Sequence, residues 1–347
     1  MRKPTFPFSR KSAHSNALVD NTHRVAKIVR RLDSYSRLSA HMLRRGVPLY
    51  DIVRTQFPAL CPNPARPALF TIELTNYCNL RCNYCSNRLG LRDRGFIAED
   101  TFARVVDGVR RLGIKRVRVV GGGEPTLHPK FGAYLRELAG ATSYLSVLSN
   151  GQWKHPQRTI RSMLEAPVNL IEVSVEGNDG DRYKASTGRG DFSRLLDNLS
   201  LLKREKENSG SRSIINLRIM ERPSDRGRGK ELKAFWSSFG DTTMLQRLVE
   251  KKGVEGVGDL FRPIQFDDRS YPSCSLPFKA MEINWNGNVP LCYNSLAQHG
   301  PPGFILGNVN DIGLPEIWNG DTFRAYRRAH HDRIIESMPL CKGCTGV

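Results

Sequence analysis

Three of the eight cysteines of this chain fall within eight residues, at Cys78, Cys82 and Cys85. Thiolates are strong ligands for zinc and iron, and three of them on one loop can converge on one metal centre. Three protein ligands leave one coordination position open, either on a tetrahedral zinc or on one iron of a four-iron cluster. We therefore expect a reactive metal site here, with a disulfide plus an odd thiol as the alternative.

Four further cysteines lie in the last quarter of the chain, at Cys274, Cys292, Cys341 and Cys344. The dipeptide Asn286-Gly287 favours a tight turn, which can bring Cys274 and Cys292 together. Cys341 and Cys344 form a Cys-x-x-Cys pair. These four thiolates can complete the ligand shell of a four-iron cluster or of a structural zinc ion.

Three other residues with reactive side chains belong to neither set. Cys61 is expected to be a buried, inert thiol, with hydrogen-atom donation to a substrate radical as the alternative. His330 and His331 fall in a charged helical stretch, where solvation is the expectation rather than metal binding.

Short apolar runs alternate with amphipathic stretches from residue 69 onward. Strands are expected over 69–75, 116–122, 144–148, 170–176 and 214–220, and helices around 102–112, 131–138 and 192–202. This alternation is typical of a parallel sheet with crossover helices, whose functional residues lie at the carboxyl ends of the strands. Beyond residue 250 the alternation stops, and a hairpin at Asn286-Gly287 and a final helix around Leu314–Arg333 are expected.

The spacing Cys-x3-Cys-x2-Cys, with Tyr84 before the last cysteine, resembles the signature of the radical S-adenosylmethionine (SAM) enzymes. Further motifs of that family follow in order, each near the end of an expected strand. They are Gly121-Gly122-Gly123-Glu124, Ser149-Asn150-Gly151, Ser174-Val175-Glu176-Gly177 and Arg218. The resemblance covers roughly residues 69–250 and implies an α/β fold, a partial (β/α)6 TIM-like barrel.

The resemblance also implies the cofactors and their contacts. Cys78, Cys82 and Cys85 would hold a [4Fe-4S] cluster whose open iron binds SAM. At the amino group of SAM, the contacting residues would be Gly121, Gly122, Gly123 and Glu124. Ser174 and Glu176 would contact the ribose, Arg218 the carboxylate and Tyr84 the adenine. Asn150 would be a further SAM contact. Such an enzyme cleaves SAM reductively to a 5′-deoxyadenosyl radical. A reductant such as flavodoxin or ferredoxin is therefore an expected partner.

The later cysteine quartet, with the stretch LGNVND…LPEIWNG between its pairs, resembles the SPASM/twitch auxiliary-cluster domain. Because the sequence stops soon after Cys344, the shorter twitch form with one auxiliary [4Fe-4S] cluster is expected, with zinc as the alternative. Three domains follow from these resemblances. A basic helical extension and Pro-rich linker covers residues 1–66, a radical SAM core barrel 67–262, and an auxiliary-cluster domain 263–347.

The chain carries a net charge of +19, of which +9 lies in the first sixty residues. Apolar residues at helical spacing from Val25 to Tyr35 stand among arginines and lysines, which predicts an amphipathic basic helix. This helix either contacts a polyanion such as DNA or packs on the domain behind it. No apolar run reaches the roughly 18 residues of a membrane helix. Without a secretory signal the cytoplasm is the expected location, with a transit peptide as the alternative.

Three substrate classes compete for the expected radical chemistry. The positive charge favours a nucleic-acid-borne or nucleotide-linked substrate, for example a hypermodified thymine in viral DNA. A second cluster that accepts an electron favours a sugar or aminocyclitol dehydrogenase or epimerase. A peptide-modifying maturase and a non-enzymatic binding module complete the alternatives. We favour the first class, with isomerisation or oxidation of the substrate as the outcome.

Overall fold

The structure is a computed structural model that describes residues 40–49, 51, 63–90, 92–222, 225, 227–247, 274–292, 305–332, 334 and 341. The described residues from Met42 onward form one compact unit. Cys61, Cys344 and the expected basic helix near the N-terminus lie outside the described residues. The domain boundaries given above stay a prediction.

Nine strands lie within the described residues. They are β1 (Leu69–Ile72), β2 (Arg116–Val119), β3 (Tyr144–Ser149), β4 (Leu170–Glu176), β5 (Ile214–Glu221), β6 (Thr242–Arg247), β7 (Ala280–Ile283), β8 (Asn288–Pro290) and β9 (Ile305–Asn308). The first seven form one sheet of parallel strands in the order β6-β5-β4-β3-β2-β1-β7. The edge strands of this sheet, β6 and β7, do not pair with each other, so the described strands do not close into a full barrel. The predicted α/β fold with a partial barrel is confirmed.

Helices lie between successive strands along the chain, and further helices occur in the C-terminal region. They are α1 (Glu99–Leu112), α2 (Phe131–Ala139), α3 (Pro156–Glu165), α4 (Gly180–Thr187), α5 (Phe192–Asn208), α6 (Gly229–Trp236), α7 (Leu276–Lys279), α8 (Leu314–Trp318) and α9 (Asp321–His331). The expected final helix is therefore two helices. Gly320 adopts an extended conformation before α9 and interrupts the run. Among the described residues, no helix is long and apolar enough to cross a membrane.

Apolar side chains from both faces of the sheet form the core. The strands bury residues such as Phe70, Val117 and Ile171, because crossover helices cover a parallel sheet. Helix α1 shows the matching pattern, with Phe102 and Val109 on its buried face. The sheet therefore holds the strand ends rigidly, and the loops that follow them are positioned by the core.

The turn at Asn286-Gly287 joins two different sheets rather than the two strands of a simple hairpin. Gly287 has the positive φ of 88° that the sequence predicted for this turn. The strand before it, β7, pairs in parallel with β1 at the edge of the main sheet. The strand after it, β8, pairs antiparallel with β9. Met281 and Ile283 are buried, which explains why this segment joins the apolar sheet.

Helix α1 packs closely on α8, and the contact leaves no room for a side chain at Gly108. A Cβ there would lie 2.7 Å from Leu314 Cδ1 and 2.8 Å from its Cβ and Cγ. Gly108→Ala should therefore lower the free energy of unfolding, because overpacking costs about 1–3 kcal/mol. Urea unfolding of the apo-protein measures this loss.

The same substitution in a Leu314→Gly background, which removes the Cβ, Cγ and Cδ1 atoms of Leu314, provides the control. With the clash removed, Gly108→Ala should be stabilising, because alanine is favoured over glycine in a helix by about 1 kcal/mol. Equal stabilisation in both backgrounds would show that α1 and α8 do not meet in this way.

Candidate functional site

The loop after β1 places Cys78, Cys82 and Cys85 around one cavity of about 230 Å³. All three are partly exposed thiols outside any disulfide. Nowhere in the described chain do three His, Cys, Asp or Glu side chains converge to hold a single metal ion. A zinc ion needs its sulfur ligands about 2.3 Å from one point, whereas each thiolate of a four-iron cluster binds a different iron. The arrangement fits a cluster better than zinc.

Two of these thiols are strongly disfavoured as free thiolates. Burial raises the pKa of Cys78 to about 12, and the nearby Glu124 carboxylate adds to the rise. Burial also raises the pKa of Cys82, and Glu176 contributes in the same direction. Thiolate ligands must be deprotonated to bind a metal. A cationic centre in the cavity would supply the stabilisation that the protein alone does not give.

The carboxylate of Glu73, the first residue after β1, is only 1% exposed and accepts four hydrogen bonds. Oε1 accepts from Arg92 Nη2 and Gly122 N, each at 2.7 Å. Oε2 accepts from Arg92 Nη1 at 2.9 Å and from Trp285 N at 3.2 Å. Glu73 thus connects the loops that follow β1, β2 and β7. Glu73 was not predicted as a site residue, although an acidic residue within the expected apolar strand 69–75 was a visible signal.

The glycine loop after β2 lies directly against the start of the cysteine loop. A Cβ on Gly123 would overlap the Tyr77 carbonyl, and one on Gly121 would overlap the Glu73 side chain. The backbone N–H of Glu124 donates to the Tyr77 carbonyl at 2.8 Å. Glycine is therefore required for this close approach of two backbones.

Glu124 connects the glycine loop to the end of β3. Its Oε1 accepts from Thr126 N at 3.2 Å, Thr126 Oγ1 at 2.6 Å and Ser149 Oγ at 2.8 Å. Its Oε2 accepts from Asn150 N at 2.8 Å. Burial raises the pKa of Glu124, and these hydrogen bonds oppose the rise. Asn150 Nδ2 also lies 3.8 Å from Cys78 Sγ. The cysteine loop, the glycine loop after β2 and the end of β3 therefore meet at Glu124 and Asn150.

Tyr84 and Glu176 contact each other, although the family resemblance implied that they contact different parts of SAM. Glu176, the last residue of β4, accepts hydrogen bonds from the Tyr84 and Ser186 hydroxyls and, at 2.9 Å, from Arg222 Nη2. Burial raises the pKa of Glu176 to about 7. Because Tyr84 stands between Cys82 and Cys85, this network includes the cysteine loop itself.

Ser174 and Arg218 are neighbours in the register of β4 and β5. Arg218 Nη1 lies 3.6 Å from Glu172 Oε1, and Nη2 donates to Gln246. Glu172 also pairs with Arg118 at 2.7 Å. The guanidinium predicted to meet the SAM carboxylate is therefore already paired with a buried protein carboxylate.

Four arginines line the same cavity as the three cysteines, namely Arg81, Arg88, Arg94 and Arg189. Arg81, Arg94 and Arg189 are exposed, and no acidic side chain in the described part of the chain pairs with them. The mouth of the cavity therefore concentrates positive charge. No spacing pattern predicted this set, because its members come from two separate loops.

In the C-terminal region, Cys274 and Cys341 meet at one histidine. His330 Nδ1 accepts from the Cys274 N–H at 3.4 Å, and Nε2 lies 3.2 Å from Cys341 Sγ. The expectation that His330 is solvated is wrong, because its side chain is fully buried. Burial lowers the pKa of His330 to about 4, so the ring is neutral at pH 7. Cys292 is partly exposed just after β8.

Comparison with known protein families identifies two segments of the chain. Residues 72–218 match the radical SAM superfamily, and residues 274–345 match an iron–sulfur cluster-binding domain, SPASM. The chain therefore carries a radical SAM domain followed by an iron–sulfur cluster-binding domain. They imply SAM, a [4Fe-4S] cluster and auxiliary cluster binding, so the predicted cofactors are confirmed.

Individual relatives match different shares of this chain. The chain is 32% identical over 117 residues to a "Probable GTP 3',8-cyclase" of Pyrococcus horikoshii, which is 34% of this chain and 37% of that protein. The crystal structure of BtrN in complex with AdoMet and 2-DOIA matches with a TM-score of 0.53 at 16% identity, over 80% of this chain and 92% of BtrN. Streptococcus suis SuiB bound to S-adenosylmethionine gives a TM-score of 0.63 at 16% identity, over 80% and 71%. At such identities the two structures establish a shared fold.

Replacing Glu73 with glutamine should destabilise the protein severely. An amide removes the charge that neutralises the largely buried Arg92, and breaking a buried pair costs about 3–5 kcal/mol. We expect Glu73→Gln to lower the free energy of unfolding of the apo-protein by that amount. It should also reduce the iron bound after anaerobic reconstitution.

Glu316→Gln is the matched control. Glu316 pairs with Arg111 at 3.1 Å on the surface, with both side chains about half exposed. Such a pair contributes at most about 1 kcal/mol. Similar losses for the two variants would mean that Glu73 does not hold the three loops together.

Proposed function

We propose that this enzyme abstracts a hydrogen atom from a substrate that carries phosphate, either a nucleotide-linked group or a nucleic acid. The observation that supports this substrate class is the set of four arginines around the cysteine cavity. Guanidinium groups bind phosphate through paired, charge-assisted hydrogen bonds. Arg81, Arg94 and Arg189, which pair with no acidic side chain in the described part of the chain, are suited to that task.

Cys78, Cys82 and Cys85 are proposed to hold the cluster. With cluster and SAM bound, one electron cleaves the sulfonium C–S bond, and the 5′-deoxyadenosyl radical removes hydrogen from the substrate. A radical SAM enzyme needs a reductant to supply that electron, and flavodoxin or ferredoxin is the proposed donor. The arginines would position the phosphate so that the neighbouring carbon faces the cavity.

The carboxylates keep acceptor capacity for SAM. Oε2 of Glu124 accepts one hydrogen bond, from Asn150 N, and a carboxylate oxygen can accept two. We assign its remaining lone pair to the methionine ammonium. Oε1 of Glu176 similarly accepts from Tyr84, which leaves room for a ribose hydroxyl. Arg218 remains the proposed contact for the SAM carboxylate, with Ser174 beside it at the ribose.

The outcome of the reaction is proposed to be oxidation or isomerisation. A substrate radical becomes an oxidised product by losing one electron and a proton, and an auxiliary cluster can accept that electron. An isomerisation returns the hydrogen atom and needs no acceptor. The SPASM domain therefore supports oxidation. A neutral sugar, aminocyclitol or peptide would not need the arginine set, which argues against those alternatives.

Arg94→Gln combined with Arg189→Gln tests the substrate class. On a single-stranded oligonucleotide, each phosphate neutralised contributes about −0.7 to the slope of log affinity against log salt, so losing both contacts should flatten the slope by about 1.4. Equilibrium titration across a range of salt concentrations measures that slope. Affinity at low salt should fall as well.

Arg161→Gln with Arg204→Gln makes the same change in net charge elsewhere. Both arginines are exposed on helices, at 77% and 64%, and neither lines the cavity. This double variant should leave the slope close to that of the unmodified protein. If the two double variants behave alike, phosphate does not bind at the cysteine cavity.

The basic N-terminal segment is a separate proposed contact for a polyanion. Replacing Arg24, Arg30, Arg31 and Arg37 with glutamine would flatten the salt slope further if this segment binds phosphate. An unchanged slope would favour the alternative in which the helix packs on the domain behind it.

A further inference from the structure

His330 and its neighbour His331 differ in burial and in the residues that they contact. His330 is fully buried, whereas the side chain of His331 is 43% exposed and contacts Asp332. Helical spacing explains the difference, because His330 shares the inward face of α9 with Phe323 and Arg327. A buried imidazole must satisfy both ring nitrogens, so its partners define its role.

The partners of His330 determine which nitrogen carries the proton. The backbone N–H of Cys274 can only donate, so Nδ1 of His330, 3.4 Å away, is the acceptor. A neutral imidazole has one donor and one acceptor nitrogen. Nε2 is therefore protonated, and it lies 3.2 Å from Cys341 Sγ, within hydrogen-bond reach of sulfur. The ring thus donates to one cysteine and accepts from the backbone of another.

A rigid framework holds this ring in place. One helical turn before His330, Arg327 Nε donates to the Pro277 carbonyl at 3.0 Å. The Arg327 guanidinium lies 4.0 Å from the Trp318 ring centroid and 4.5 Å from that of Phe323. These contacts fix α9 against α7, which begins two residues after Cys274. Protein contacts therefore position His330.

We infer that His330 is a positioning residue of the auxiliary cluster, whose Nε2–H donates a hydrogen bond to the Cys341 thiolate and raises the reduction potential of the cluster. Hydrogen bonds to ligand sulfurs tune the potentials of iron–sulfur clusters, and the partners of metal ligands orient those ligands. Reduction adds negative charge to the cluster, so a donor at sulfur stabilises the reduced state. The inference rests on the SPASM domain and not on the proposed phosphate-bearing substrate.

Redox titration monitored by electron paramagnetic resonance tests this role. The full-length protein with Cys78, Cys82 and Cys85 changed to alanine isolates the auxiliary cluster for measurement. Adding His330→Leu should lower the ratio of reduced to oxidised cluster about tenfold at a fixed potential, which is about 59 mV for one electron. Iron content should remain that of one cluster.

Two further variants separate the hydrogen bond from packing. His330→Gln keeps an N–H donor and should restore most of the potential, while His331→Ala should leave it unchanged. An unaltered potential in His330→Leu would overturn the inference. So would equal potentials in the Leu and Gln variants, or loss of iron from both, because the latter would make His330 a ligand or a purely structural residue.

Discussion

A carboxylate removed from water must be neutralised and hydrogen-bonded, and at Glu73 this requirement brings three distant loops together. Arg92 supplies the charge, Gly122 one backbone donor and Trp285 another. These partners come from the cysteine loop, the glycine loop and the segment after β7. The relative placement of the cysteines and the glycines therefore depends on one buried side chain.

Buried carboxylates and exposed arginines occupy different parts of the region around the cysteine loop. Glu73, Glu124 and Glu176 are buried at the carboxyl ends of β1, β2 and β4, and each accepts hydrogen bonds from other loops. Three of the arginines that line the cysteine cavity are exposed. The carboxylates connect the loops, whereas the exposed arginines give the cavity positive charge. In the proposed function, the site would hold a cationic cofactor and bind a phosphate-bearing substrate.

Local sequence patterns predicted the features that depend on residues close together in the chain. The cysteine triplet, the glycine motif and the five expected strands lie in the order and near the positions predicted. Long-range contacts were not predictable in this way. Glu73 finds its partners 19, 49 and 212 residues away, and His330 meets Cys274 across 56 residues. The charged residues of α9 indicated a solvated helix, although Arg327 and His330 are buried on its inner face.

In the proposed function, the cysteine cavity generates a radical that acts on a phosphate-bearing substrate. Deuterium transfer into 5′-deoxyadenosine is the most direct test. Reconstituted enzyme, reductant and SAM are incubated with deuterated nucleotide or oligonucleotide, or with a deuterated neutral sugar or peptide. Only a phosphate-bearing substrate should transfer label to 5′-deoxyadenosine. Label from a neutral sugar or peptide, with none from any phosphate-bearing substrate, would show that the proposed substrate class is wrong.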